Sequence, residues 1–286
     1  MQIFKLQLYL SLLLVVAACT DINKPSFKGP NRTFESSFES LDDFKGFYVE
    51  SGPSFDSNQQ LVSDSVMDGM FSNKAWILKS RAVNNDGLIY LPHRAYPTIQ
   101  FQKTKDGIFR TPCLLTLWVN LDVTLKQRPK GSISDWFSLI TLTPDQSDNW
   151  TRTVVVNLTP DGYLKLVNVP NQGEQKWIYQ ADSINNPSKS LQFKMKSWNR
   201  IDVLIDFDAQ NGYAKLWQNG QLVSSAKVNG GNGGLAQVHC GLYACAALEY
   251  AVIYNDKLRI MEINSESEAL PFLAKSLRYM NRINLF

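Results

Sequence analysis

The chain has 286 residues, of which 44% are hydrophobic and 19% charged, and its formal net charge is +3. This composition excludes a fibrous or extensively disordered protein, and the near-balanced charge lacks the basic stripe that general nucleic-acid binding needs, so no nucleic-acid partner is expected. Seven Trp, eleven Tyr and fifteen Phe against two His point to a β-rich protein and argue against a histidine-based metal centre.

Taken in chain order, the first segment reads as an export signal. Lys5 precedes the apolar run Leu6–Ala17, which is too short to span a bilayer and persist as an anchor. The run closes on Val16-Ala17-Ala18-Cys19, which resembles a bacterial lipobox, and the resemblance implies that the Cys19 thiol accepts a diacylglycerol. A plain secretory signal with a coincident Cys is the alternative. The expected organisation is a signal peptide over 1–18, a polar tether over 19–32, a sandwich domain over 33–264 and a helical segment over 265–286. Such a protein would sit in the bacterial cell envelope, touching the membrane through its lipid alone.

From about Thr33 the sequence alternates apolar and polar residues in short runs between turn signals. Strands are expected over Thr98–Gln102, Leu114–Val123, Trp136–Leu142, Arg152–Leu158, Gly162–Val169, Arg200–Phe207, Gly212–Trp217, Leu222–Val228, Gln237–Tyr243 and Ala251–Tyr254. Turns fall at Pro160-Asp161-Gly162, at Asn219-Gly220 and in the loop from Asn229 to Gly234. Strands at this spacing, without helical patterns between them, predict an all-β jelly-roll sandwich of two antiparallel sheets. Leu270, Phe272, Leu273, Leu277 and Met280 recur at helical spacing, which predicts a C-terminal helix with Pro271 in its first turn. Cys113, Cys240 and Cys245 allow at most one internal disulfide. Cys113 and Cys240 could meet, although buried thiols are the simpler reading.

Trp198 opens the run Trp198–Asp208, the hairpin Gly212–Val223 carries Trp217 and Asn219-Gly220, and Gly241-Leu242-Tyr243 follows. As a set these resemble the late hairpins of concanavalin A-like jelly rolls, with Trp198 and Trp217 expected to fill the space between the sheets. Within that group, Gln237-Val238-His239-Cys240-Gly241-Leu242-Tyr243 is similar to the "Y-x-K-x-G-x-Y" strand of alginate and heparin lyases, and His93–Gln102 stands where those enzymes place an "R-[ST]-E-L" strand. Gly241 and Tyr243 match the pattern. His239 replaces the Lys, Gln237 replaces the first Tyr, no Glu follows Arg94 at the family's spacing, and the family's earlier "Q-x-H" strand has no counterpart.

Strand parity then groups the candidate site, because side chains two apart share a sheet face. Arg94, Tyr96, Thr98, Gln100 and Gln102 form one polar row and Gln237, His239, Gly241 and Tyr243 another. Trp118 and Asn120, with Asp122, extend the site from a third strand, and Lys165 does so from a fourth. The lyase resemblance implies that Arg94, with Gln100, binds a uronate carboxylate, that Tyr243 and His239 move protons, and that Tyr96 or Trp118 stacks on sugar rings. No cofactor is expected, apart from calcium that the Asp145–Asp148 loop could hold. Three readings stay open: recognition of a polysaccharide, expected to be acidic, in a groove on one sheet; cleavage of such a polymer by β-elimination; and a structural or protein-binding envelope lipoprotein.

Overall fold

A computed structural model describes residues 31–39, 47–48, 59–63, 76–83, 93–130, 134–144, 152–171, 173–178, 180, 190–231, 233–245, 247–248 and 250–283, with the backbone alone at 47–48, 59–63, 76–83, 93–94 and 275–283. The signal segment with Cys19 and the Asp145–Asp148 loop lie outside the described residues. The strands in chain order are β1 (Thr33–Ser36), β2 (Phe47–Tyr48), β3 (Gln59–Ser63), β4 (Trp76–Val83), β5 (His93–Ala95), β6 (Thr98–Gln100), β7 (Phe109–Arg110), β8 (Cys113–Val123) and β9 (Phe137–Thr143). They continue with β10 (Thr153–Leu158), β11 (Leu164–Val169), β12 (Lys176–Ile178), β13 (Trp198–Asp206), β14 (Tyr213–Gln218), β15 (Gln221–Lys227), β16 (Gly234–Leu235), β17 (Gln237–Ala244) and β18 (Tyr250–Glu262), followed by helix α1 (Glu266–Ile283).

Two eight-stranded antiparallel sheets face each other, as the alternation predicts. Sheet I runs β15-β14-β13-β8-β18-β4-β3 with β1 added on β18, and sheet II runs β12-β11-β10-β9-β17-β6-β2 with β5 added on β17. The core between them comes from alternate residues of the strands, with the count on β9 changing step between Leu139 and Ile140, where its register with β10 shifts. Cys113, Leu115, Leu117, Val119 and Leu121 of β8 meet Phe137, Leu139, Ile140 and Leu142 of β9 and Val238, Cys240 and Leu242 of β17 in a single apolar cluster. Burying each such aliphatic side chain contributes about 1.5–3 kcal/mol, which makes the inward rows the main source of stability.

Local sequence explains the hairpins. Asn219 (φ 53°) and Gly220 (φ 80°) both take positive φ between the paired Gln218 and Gln221, the two-residue turn whose twist suits antiparallel strands. The loop after β15 is closed by backbone crowding: a side chain on Gly230 would have its Cβ 1.6 Å from the Asp208 carbonyl oxygen.

Several expectations need correction. Strand β18 does not stop at Tyr254 but continues to Glu262, because Lys257 takes φ 49° and a register shift between Asp256 and Arg259 interrupts the alternation that the sequence reading followed. Trp198 and Trp217 do not fill the space between the sheets. Ile201, Val203 and Ile205 hold the inward positions of β13 and Leu216 that of β14, so both indoles go to the outer face of sheet I. Pro271 is not in the first helical turn, since α1 already starts at Glu266. Glu268 secures that earlier start by accepting from the Asn264 backbone N–H (3.0 Å) and side-chain amide (3.1 Å). Cys113, Cys240 and Cys245 are free, buried thiols. Cys113 and Cys240 sit on different sheets, and burial pushes the Cys240 thiol up to about 12.

Candidate functional site

Strand β17 organises the site. With Val238, Cys240, Leu242 and Ala244 committed to the core, Gln237, His239 and Tyr243 are left on the outer face of sheet II. Gly241 lies between the two rings at φ 136°, and a Cβ there would approach the Ala95 carbonyl oxygen to 2.9 Å and Tyr96 Cβ to 3.0 Å. Only glycine lets the β5–β6 junction settle this closely on β17. The result is a stack: Tyr96 lies flat on His239, with ring centroids 4.5 Å apart and planes at 15°, and meets Tyr243 edge-on at 6.3 Å. Trp136 packs on the other side of Tyr243 at 5.1 Å.

Trp136 is held in place from behind. The preceding Asp135, buried, accepts from Arg128 Nε (3.1 Å) and Nη2 (3.0 Å) and from the Lys126 backbone N–H (2.8 Å), and the Cys245 N–H donates to the Trp136 carbonyl (3.3 Å). This clamps the β8–β9 connection at the point where the indole leaves it.

Register carries the site across the sheet. Tyr243 pairs with Arg94 on one side and Ser138 on the other, Ser138 pairs with Asn157, and Asn157 pairs with Lys165. One cross-strand row therefore spans five strands, and the Ser138 hydroxyl is hydrogen-bonded to Asn157 Oδ1 within it. Beside that row Trp136, Trp177, Tyr243, Ser138 and Asn157 line a cavity of about 310 Å³ whose wall continues over Val155 and Val167.

The expected residues divide into three groups. Tyr243 lines the cavity, half-buried. Tyr96, Gln100, Gln237 and His239 are beside it but buried, and the last three form a relay: Gln100 Nε2 donates to Gln237 Oε1 (3.0 Å), and Gln237 Nε2 donates to His239 Nε2. That contact makes Nε2 an acceptor and leaves the ring proton on Nδ1, so the lone pair expected to take a substrate proton is already engaged. Arg94 is opposite Tyr243 in backbone register, and Gln102 sits half-buried on the 3₁₀ turn Phe101–Lys103 that follows β6. Lys165 shares the row, but its ammonium is drawn to Asp161 and Thr159 in the β10–β11 turn. Burial pushes the Asp161 carboxyl up, yet the bonds from Lys165, Thr159 and the Tyr163 N–H outweigh it and hold the group below its ordinary 3.8.

Trp118 and Asn120 do not join this site. They lie on β8 in sheet I, on the outer face of the opposite layer, as does Asp122, because Leu117, Val119 and Leu121 take the inward positions. Conversely, Trp136 and Trp177, not among the expected site residues, line the cavity. Parity held the signal for Trp136: Phe137 points inward, so Trp136 and Ser138 share the outer face.

The sequence matches no protein-family model and no curated protein. Among solved structures, that of a cellulose-induced protein aligns with a TM-score of 0.50 and 12% identity over 79% of this chain and 96% of the other. The binding domain of botulinum neurotoxin DC in complex with SialylT aligns with a TM-score of 0.46 and 7% identity, over 77% of this chain and 45% of that one. The binding domain of Paraclostridial Mosquitocidal Protein 1 gives a TM-score of 0.45 and 16% identity, over 76% and 45% of the two chains. The chain thus spans under half the length of these two toxin domains. The likeness to the cellulose-induced protein extends to the sandwich fold.

Proposed function

We propose that the protein recognises a polysaccharide on the outer face of sheet II while Cys19, lipidated, holds it to the bacterial cell envelope. The observation that carries this reading is the cavity in which Tyr243, Trp136 and Trp177 flank Ser138 and Asn157. Sugar rings offer apolar C–H faces and a rim of hydroxyls; aromatic walls take the faces, and a hydroxyl and an amide take the rim. The volume, about 310 Å³, suits one or two sugar units rather than a long buried chain. Likeness in fold to a cellulose-induced protein is compatible with this reading. The test is affinity electrophoresis of the full chain through gels cast with hydroxyethylcellulose, xylan or alginate. Retardation by at least one polymer is expected, weakened about tenfold or more by Trp136→Ala and by Trp177→Ala; unretarded migration in all three would end the proposal.

The register of Arg94 opposite Tyr243 favours a second reading, β-elimination on a uronate polymer. Position 94 would supply the guanidinium that neutralises the carboxylate. Tyr243 would serve as both base and acid, because the relay engages His239 Nε2. Incubation with alginate should then produce the ultraviolet absorbance of an unsaturated product, abolished in Tyr243→Phe. Absence of product alongside retention in the gel would assign the site to binding alone.

A further inference from the structure

The outer face of sheet I carries its own cavity, about 360 Å³, whose lining includes Glu35, Trp118, Arg200, Lys257, Arg259 and Phe272. It shares no residue with the cavity on sheet II. From its geometry we infer that this cavity binds a small carboxylate joined to a flat apolar body.

Three cations and one acid line the opening, and the two guanidinium groups are held differently. Arg200 is fixed: its Nε and Nη2 donate to Asp202 Oδ1 at 3.0 and 2.8 Å, and Nη2 reaches the Phe272 carbonyl at 3.2 Å. Asp202 is fully buried and also accepts from Thr116 at 2.6 Å, so this pair belongs to the framework. Arg259 instead pairs with Glu35 at 2.8 Å, with both side chains substantially exposed at 38% and 62%. An ion pair that exposed contributes little to stability and exchanges readily. Glu35 therefore acts as a tethered stand-in for the ligand, showing what Arg259 accepts and offering a partner that a free carboxylate can displace.

The rest of the lining fits such a molecule. The Arg259 guanidinium already lies 5.0 Å above the Phe272 ring, so a carboxylate on Arg259 arrives beside an aromatic face, and Trp118 supplies a second flat wall. Lys257 is exposed and lines the opening, adding positive potential where an anion enters.

Titration of the full chain with phenylacetate, glucuronate and the uncharged phenylacetamide, followed through the Trp indole N–H resonances, tests the inference. Phenylacetate should shift the Trp118 signal to saturation with a dissociation constant of about 1 mM, glucuronate, which lacks the flat apolar body, should bind about tenfold more weakly or worse, and phenylacetamide should leave the signal in place. Glu35→Gln should tighten binding about three- to tenfold by removing the competitor, and Arg259→Gln should weaken it about tenfold or more. Failure of phenylacetate to move Trp118, equal or tighter binding of glucuronate, an equal response to phenylacetamide, or unchanged affinity in Glu35→Gln would overturn the inference. The Glu35 variant decides the matter even if Arg259→Gln folds poorly. The Trp136 and Trp177 signals report separately on the proposed glycan site.

Discussion

The two outer faces arise from the same strand alternation and differ in what covers them. On sheet I the row Glu35–Arg259–Thr116–Asp202–Trp217 crosses five strands, and helix α1 packs on β13 beside it. Ala269 and Leu273 of the helix bury Leu114, Leu204, Trp217 and Met261, and Lys215 bonds Glu266 at 2.6 Å at the helix start. On sheet II the row from Arg94 to Lys165 is equally long, but no helix covers it among the described residues. Tyr243 and Trp136 accordingly stay half-buried there, whereas Trp217 is 7% exposed. Aromatic residues sealed under a helix contribute to stability; those left at a cavity wall have apolar area still to bury against a ligand.

That contrast can be broken most forcefully at the tryptophans. Trp217→Ala should cost about 3–5 kcal/mol in urea unfolding by opening a cavity under α1, while Trp136→Ala should cost about 1 kcal/mol or less. Equal losses would mean that the faces do not differ as described. Arg200→Met should cost about 3 kcal/mol, because it strands the Asp202 carboxylate in a buried site. A shift in the denaturation midpoint reads it, and a variant as stable as the parent would remove Asp202–Arg200 from the framework.

On the other face, Gly241→Ala should lose about 1–3 kcal/mol, since the new Cβ meets Ala95 and Tyr96 at a φ that side chains avoid. It should also weaken polymer retention by lifting Tyr96 off His239, and normal retention would show that the stack is not needed for binding. The smallest effect is pH dependence. Burial raises the Asp202 carboxyl above its ordinary 3.8, with Arg200 and Thr116 only partly opposing the shift. Above that pH the native state keeps a proton that the unfolded chain has released, so the stability from this group falls as pH rises through the window between the two values. The parent's midpoint relative to that of Asp202→Asn should therefore fall from about pH 4 upward and then level off; a difference that does not vary with pH would contradict the raised carboxyl.

Much of the fold was legible because it depends on nearest-neighbour alternation. The inward row Val238, Cys240, Leu242 and the outward row Gln237, His239, Tyr243 follow from counting by two, and Asn219-Gly220 announces its turn by residue type alone. Counting fails where the backbone breaks step. The register shift near Lys257 hides the second half of β18. Trp217 is a different case: alternation from Ala214 and Leu216 places it outward, and only the family resemblance implied a position between the sheets. Parity also says which residues share a face but not which sheet that face belongs to. Trp118 and Asn120 were joined to Tyr243 on parity, yet β8 pairs with β13 and β18 while β17 pairs with β9, β5 and β6.

By itself, the sequence determined the alternating rows, the tight turns and the helical C-terminal segment, all of which follow from steric and solvation preferences acting over a few residues. Only the tertiary structure decided that Trp136 and Trp177 meet Tyr243 at one cavity, that Gln237 engages His239 Nε2, and that Trp118 faces a separate opening with Arg200 and Arg259. Those outcomes depend on which strands become neighbours, and strand neighbours are chosen by the packing of the whole apolar core rather than by any local run of residues.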